Sequence, residues 1–212
     1  MTPDWVTISS LATAAGTLVL AVATFGSVRS ANRAARVAEE SLLAGIRPLL
    51  ISSRPEDPTL KVGFGDDHYV MSPGGGGTAE PTDAAIYLTM SIRNAGSGIA
   101  VLHGWRIEAD PTTMGAPDHP PVDEFRRLTR DLYIPAGDIG FWQGAIRDPA
   151  DPHWQPLRQM IESRQRIVID LLYGDHQGGQ RLISRFSLLP RSDAGWMTSV
   201  SRHWNVDRQN PR

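Results

Sequence analysis

The chain has 212 residues, no cysteine, 21 basic against 23 acidic side chains, a formal net charge of −2 and a pI near 6.3. The missing thiols exclude a disulfide-stapled extracellular module. The near-neutral charge, without basic blocks, argues against a nucleic-acid partner, whose phosphates require a concentrated positive surface. Lys61 is the only lysine among the basic residues, and with abundant Ala, Gly and Pro this bias points to a GC-rich coding sequence.

Residues 5–28 (WVTISSLATAAGTLVLAVATFGSV) carry no charge between Asp4 and Arg29. As a helix this stretch rises about 36 Å, enough to cross a hydrocarbon core of about 30 Å with some tilt. The opening Met-Thr-Pro-Asp lacks the basic region of a cleaved secretory signal. So long an apolar run also has no polar face to show to water, as a core helix of a soluble protein would. A single transmembrane helix is therefore expected. Arg29, Arg33, Arg36 and Arg47 all follow it, whereas Asp4 is the only charged residue before it. Basic residues are retained on the cytoplasmic side, so residues 1–4 are expected outside and the remainder in the cytoplasm, at the cell (plasma) membrane. Small side chains crowd the first half of the span, and Ala12 and Gly16 form a small-xxx-small pair suited to helix packing in lipid.

The helix is predicted to continue as a juxtamembrane segment over 29–47, with a narrow stripe of Val28, Ala35, Ala38, Leu42 and Ile46. That stripe would lie on the protein's own domain or form a short coiled-coil seam, and Gly45 and Pro48 end it. Strands are expected at 48–52 and 59–64. Residues 65–82 hold four consecutive glycines from Gly74 to Gly77 but none of the following Lys-Ser/Thr of a phosphate-cradling loop, and read as a flexible surface loop.

Residues 84–94 make the clearest strand, with Ile86, Leu88, Met90 and Ile92 on one face and Tyr87, Thr89, Ser91 and Arg93 on the other. A second strand at 99–109 places Val101, His103, Trp105 and Ile107 in register. After a proline-punctuated loop at 110–121, the spacing of Phe125, Leu128 and Leu132 predicts an amphipathic helix over 122–132. Strand-and-turn character follows at 131–141. A short helix then runs to about residue 164, with Leu157, Met160 and Ile161 inward and Pro156 in its first turn. Residues 166–173 and 180–189 read as a β-hairpin, 196–204 as a last strand and 205–212 as a flexible tail. The fold class is mainly β: an antiparallel β-sandwich of immunoglobulin-like outline over 48–204 with short helical insertions.

The densest polar constellation is Tyr173, Asp175, His176, Gln180, Arg181 and Arg185, with His203 and Trp204 near the end. An Asp-His pair can ligate a metal or act as a base. Adjacent strand residues point to opposite faces, however, and Asp and Gly are ordinary turn formers. No catalytic, cofactor-binding or metal-ligating residue is therefore assigned, and no cofactor is implied. Asp66, Asp67 and His68 read as a solvated loop. Trp105, Trp142, Trp154, Trp196 and Trp204 are expected in the core, and Trp5 at a membrane interface. Arg126, Arg127 and Arg130 lie on the expected insertion helix, where they would be solvated or would touch anionic headgroups, their charge diluted by Asp123, Glu124 and Asp131.

The small-residue span running into SVRSANRAAR, together with YGDHQGGQR and SRHWNVD, resembles uncharacterised single-pass membrane proteins of GC-rich Gram-positive bacteria. The resemblance implies an anchored domain and carries no activity. The expected function is a membrane-anchored interaction module that binds a protein partner or self-assembles. The alternatives are a tethered enzyme or metal-dependent hydrolase using Asp175, His176 and His203, and a small-ligand sensor.

Overall fold

The structure, a computed structural model, describes residues 4–108 and 118–208. It divides into two compact units, 1–44 and 45–212.

The first unit is helical. α1 (Trp5–Gly45) is one unbroken helix of 41 residues, so the span and its juxtamembrane continuation form a single element. It is long and apolar enough to cross a membrane, and Leu11, Leu18, Val19, Leu20, Val22 and Phe25 are all exposed along it. Thr13, Thr17 and Thr24 donate their hydroxyls back to the carbonyls of Ser9, Thr13 and Leu20 at 2.7–2.9 Å. Each threonine thus satisfies its polar atom within the helix, which an apolar solvent requires.

The second unit is mainly β. Its strands are β1 (Leu50–Ser52), β2 (Leu60–Gly63), β3 (Tyr69–Ser72), β4 (Gly76–Pro81), β5 (Ile86–Asn94), β6 (Ala100–Glu108), β7 (Arg126–Ile134), β8 (Ile139–Ile146), β9 (Ile167–Asp175), β10 (Arg181–Pro190) and β11 (Trp196–Asn205), with α2 (Trp154–Glu162) before β9. All pairings are antiparallel. β8 runs along one edge of β5, while β1 and β4 share the other. The remaining order is β11-β10-β9-β6-β7. β4 joins the two layers through Trp196↔Gly77 and Met197↔Gly76.

The sheet folds over on itself as a β-sandwich-like structure, with a core of Leu50, Leu88, Met90 and Ile92 against Leu102, Ile169, Leu171 and Phe186. Trp105 and Trp142 meet edge to face there, their ring centroids 5.3 Å apart. All five tryptophans of this unit are buried. In α2, Trp154, Leu157 and Ile161 pack into the same core, with Met160 against it. β9 and β10 form the expected hairpin.

Four expectations are corrected. The stretch 122–132 is not a helix: a single 3-10 turn (Val122–Glu124) leads into β7. Leu128 and Leu132 are four apart, a spacing that one turn of helix and two periods of strand serve equally well. Thr129, Tyr133 and Ile134 supply the strand propensity.

The glycine-rich stretch 65–82 is not a loop but contains β3 and β4. A Cβ on Gly77 would stand 2.2 Å from the Thr89 carbonyl, and one on Gly76 2.6 Å from the Trp196 carbonyl. These glycines are there because backbones approach closely at the layer junction.

In β6 the expected alternation breaks. Ala100 and Leu102 enter the core, then Trp105 and Ile107, because a register shift makes His103 an extra, exposed residue. Finally, residues 205–207 are held rather than frayed: Arg47 donates to Gln180 Oε1 at 2.7 Å, Asn205 Oδ1 at 2.6 Å and Asp207 Oδ1 at 2.9 Å. Most of the proline-punctuated loop at 110–121 lies outside the described residues.

Both faces of β5 are buried. The β2–β3 hairpin covers its outer face with Val62, Phe64 and Val70 against Tyr87. Asp66 and His68 belong to this packing: Tyr87 donates its hydroxyl to Asp66 Oδ2 at 2.7 Å, and the His68 ring stacks on Tyr87 at 4.0 Å.

Candidate functional site

The polar cluster expected from the sequence separates into parts with different roles. Tyr173 accepts from the Leu50 amide at 3.2 Å and shares a 2.8 Å hydrogen bond with Ser184, whose hydroxyl lies 2.7 Å from His203 Nδ1. Tyr173 and Ser184 are wholly buried, and burial raises the Tyr173 hydroxyl above the ordinary tyrosine range. The chain of hydroxyls therefore ties β1, β9, β10 and β11 together and orients an exposed histidine. It does not present a nucleophile, because Ser184 has no accessible surface.

Asp175 closes the β9–β10 turn, accepting the Gly179 amide at 2.9 Å, and His176 is exposed in that turn. His203 lines a cavity of about 290 Å³ with Arg47, Asn205 and Arg208, not with Asp175 or His176. Among the described residues no three His, Asp or Glu side chains are placed to hold a metal ion.

Arg185 lies on the opposite face of β10 from Ser184 and is buried. Its Nε and Nη2 donate to the two oxygens of Asp170 at 2.7 and 2.8 Å, and Glu108 stands 3.3 Å away. Arg106, Asp170 and Arg185 are register neighbours across β6, β9 and β10, so one rung of the sheet carries alternating charge. Asp170 and Arg106 gave no sequence signal beyond their place in strands.

Arg181 goes elsewhere. Where His103 bulges, β7 leaves β6: Leu102 pairs with Leu132, but the next pair is Gly104 with Arg127. The slack in β7 opens a groove of about 860 Å³, lined by His103, Asp123, Arg127, Asp131, Arg181 and the apolar Phe125 and Leu172. Partial burial, then the nearby Arg181 charge, hold His103 below the ordinary imidazole range. The side chains of His103, Arg127 and Arg181 make no hydrogen bond or ion pair among the described residues. Bulges commonly re-aim side chains beside functional sites, and the alternation break at His103 is what sequence reading passed over.

A second cavity, of about 260 Å³, lies where β7 and β8 face each other without pairing. Arg126, Arg127 and Arg130 of β7 and Arg147, just after β8, line it with Trp105, Leu128 and Leu132. Gly144, which also borders it, makes room for the core rings: a Cβ there would fall 2.7 Å from Trp142 and 3.1 Å from Trp105. Arg126 is bound by both oxygens of Asp151 and lies over the Trp105 ring. That fork holds the Asp151 carboxyl down at about 2. Arg147 reaches Asp66 at 3.1 Å. Among the described residues Arg130 meets neutral acceptors, the Gly63 carbonyl at 3.2 Å and Gln143 Oε1 at 2.8 Å.

Ala12 and Gly16 lie on α1, one turn apart and exposed. No protein-family model, curated protein or solved structure matches the chain.

Proposed function

We propose that the chain is a membrane-anchored, non-catalytic interaction module whose β domain faces the cytoplasm and binds a protein partner or a second copy of itself. The observation that carries this reading is the combination of α1, long and apolar enough to cross a membrane, with a β fold whose groove is lined by side chains the fold does not use. His103, Arg127 and Arg181 are free for a partner, and the arginines that follow the span argue for the cytoplasmic side. Asp175, His176 and His203 do not share a cavity, so the residues a hydrolase would use offer no common site. Ala12 and Gly16 offer a packing pair for self-association in lipid.

The absence of native cysteine makes the orientation directly testable. Asp4→Cys and Glu56→Cys are made separately and intact cells are treated with a membrane-impermeant maleimide. Labelling of the first alone supports the reading, and labelling of the second in intact cells overturns it. For the interaction, a photoreactive amino acid at position 181 should give a crosslinked adduct of defined mass, and one at position 54 should not. Failure of position 181 to crosslink under any condition counts against the groove as the docking face.

A further inference from the structure

We propose that the unpaired seam between β7 and β8 is a binding site for a phosphate group. This rests on the seam's own charge and shape and does not depend on the orientation of the chain in a membrane. Four arginines, Arg126, Arg127, Arg130 and Arg147, line one cavity, and Arg127 also borders the groove beside His103. The acids that reach them are Asp151 on Arg126 and Asp66 on Arg147. Arg130 is met by a carbonyl and an amide oxygen, and Arg127 by no side-chain partner among the described residues.

Two positive charges of the four are therefore uncompensated in a part-enclosed cleft. Both are exposed, so they can reach a ligand that enters the cleft. A dianionic phosphate neutralises both charges, whereas a carboxylate neutralises one. The planar fork of Arg also matches phosphate oxygens two at a time.

The pairings already present assist this. Asp151 takes the Nη1 and Nη2 donors of Arg126, fixing that side chain over Trp105. Gln143 and the Gly63 carbonyl take one nitrogen of Arg130, Nη2, and leave the rest of its donors for a ligand.

The full chain is reconstituted in phosphatidylcholine nanodiscs and titrated with inorganic phosphate by calorimetry at constant ionic strength, with chloride as the reference anion. Saturable binding of phosphate at least ten times tighter than chloride is expected. Arg127→Gln should weaken it severalfold, and Arg127→Gln with Arg130→Gln should abolish it, while Arg54→Gln leaves it unchanged. Arg127 makes no side-chain bond that the fold uses, so the single variant keeps the test meaningful even if the double variant is unstable. Equal response to phosphate and chloride, or undiminished phosphate binding in Arg127→Gln, overturns the proposal. Nanodiscs containing phosphatidic acid separate the sources of the phosphate. Loss of free-phosphate binding in them identifies a lipid headgroup as the ligand, and retention identifies a soluble phosphorylated molecule.

Discussion

Arg185 and Asp170 form a two-pronged ion pair in which both side chains are almost without accessible surface, at 2% and 0%. Such a pair is a weak source of net stability, but breaking it leaves a charge buried without its partner. Arg185→Met should therefore cost about 3 kcal/mol, the lower part of the usual range, because Arg106 stands 3.7 Å from Asp170 and partly compensates it. The double variant Arg185→Met with Asp170→Leu should recover much of that loss. Denaturant unfolding of the chain in detergent measures both, and a double variant as unstable as the single one would refute the account.

The Arg126–Asp151 fork makes a pH-dependent contribution. The Asp151 carboxyl titrates at about 2 in the folded protein instead of at 3.8, because Arg126 donates to it. A depressed carboxyl pKa contributes stability that is fully present above the unfolded value and is lost as pH falls through the folded value. Asp151 is partly exposed, so screening reduces the contribution to about 1 kcal/mol. Asp151→Asn should accordingly be less stable than the parent at pH 6, with the difference shrinking below about pH 4 and vanishing near pH 2. A difference that persisted unchanged to pH 2 would mean that the ion pair is not its source.

The strand at 84–94 was legible because Ile86, Leu88, Met90 and Ile92 alternate, the pair at 166–173 and 180–189 because two β-branched and apolar runs flank a Gly- and Asp-rich turn, and α1 because no other element accommodates so long an uncharged run. β7 was not, since Leu128 and Leu132 satisfy both periods and the deciding context, the pairing with β6, is not local in sequence. The same ambiguity hid the seam: Arg126, Arg127 and Arg130 were visible as a basic cluster, but nothing local in sequence joins them to Arg147. His203 was visible, yet its neighbour Ser184 lies 19 positions earlier and carries no signal of its own. The glycines from Gly74 to Gly77 were misread because glycine marks both freedom and close approach, and only the pairing partner tells which.

Gly77 tests that last distinction. A methyl group there would meet the Thr89 carbonyl at 2.2 Å and Leu188 at 2.7 Å, one on β5 and the other on β10. Backbone cannot move aside as a flexible side chain can, so Gly77→Ala should destabilise the domain by about 1–3 kcal/mol, the usual cost of overpacking. Gly137→Ala supplies the contrast: a Cβ there meets nothing within 4 Å, and its cost comes from the positive φ of 76° alone. If Gly77→Ala melts with the parent, β4 is a flexible connection and not the junction of the two layers.

Leu18 sits near the middle of the uncharged part of α1 and is 67% exposed. If that part of the helix lies in hydrocarbon, an arginine at its centre costs about 3 kcal/mol or slightly more relative to leucine on the insertion scale. Near Trp5 or Arg29 the same substitution costs far less, because a long basic side chain can reach the interface. Leu18→Arg should therefore shift the chain from the membrane pellet to the supernatant after alkaline carbonate extraction. Val28→Arg, beside the arginines already present, should leave it in the pellet. Equal retention of both variants would show that α1 is not held in the bilayer by its apolar length. Equal release of both would place position 28 as deep as position 18, and so move the membrane-embedded part of α1 towards Arg33.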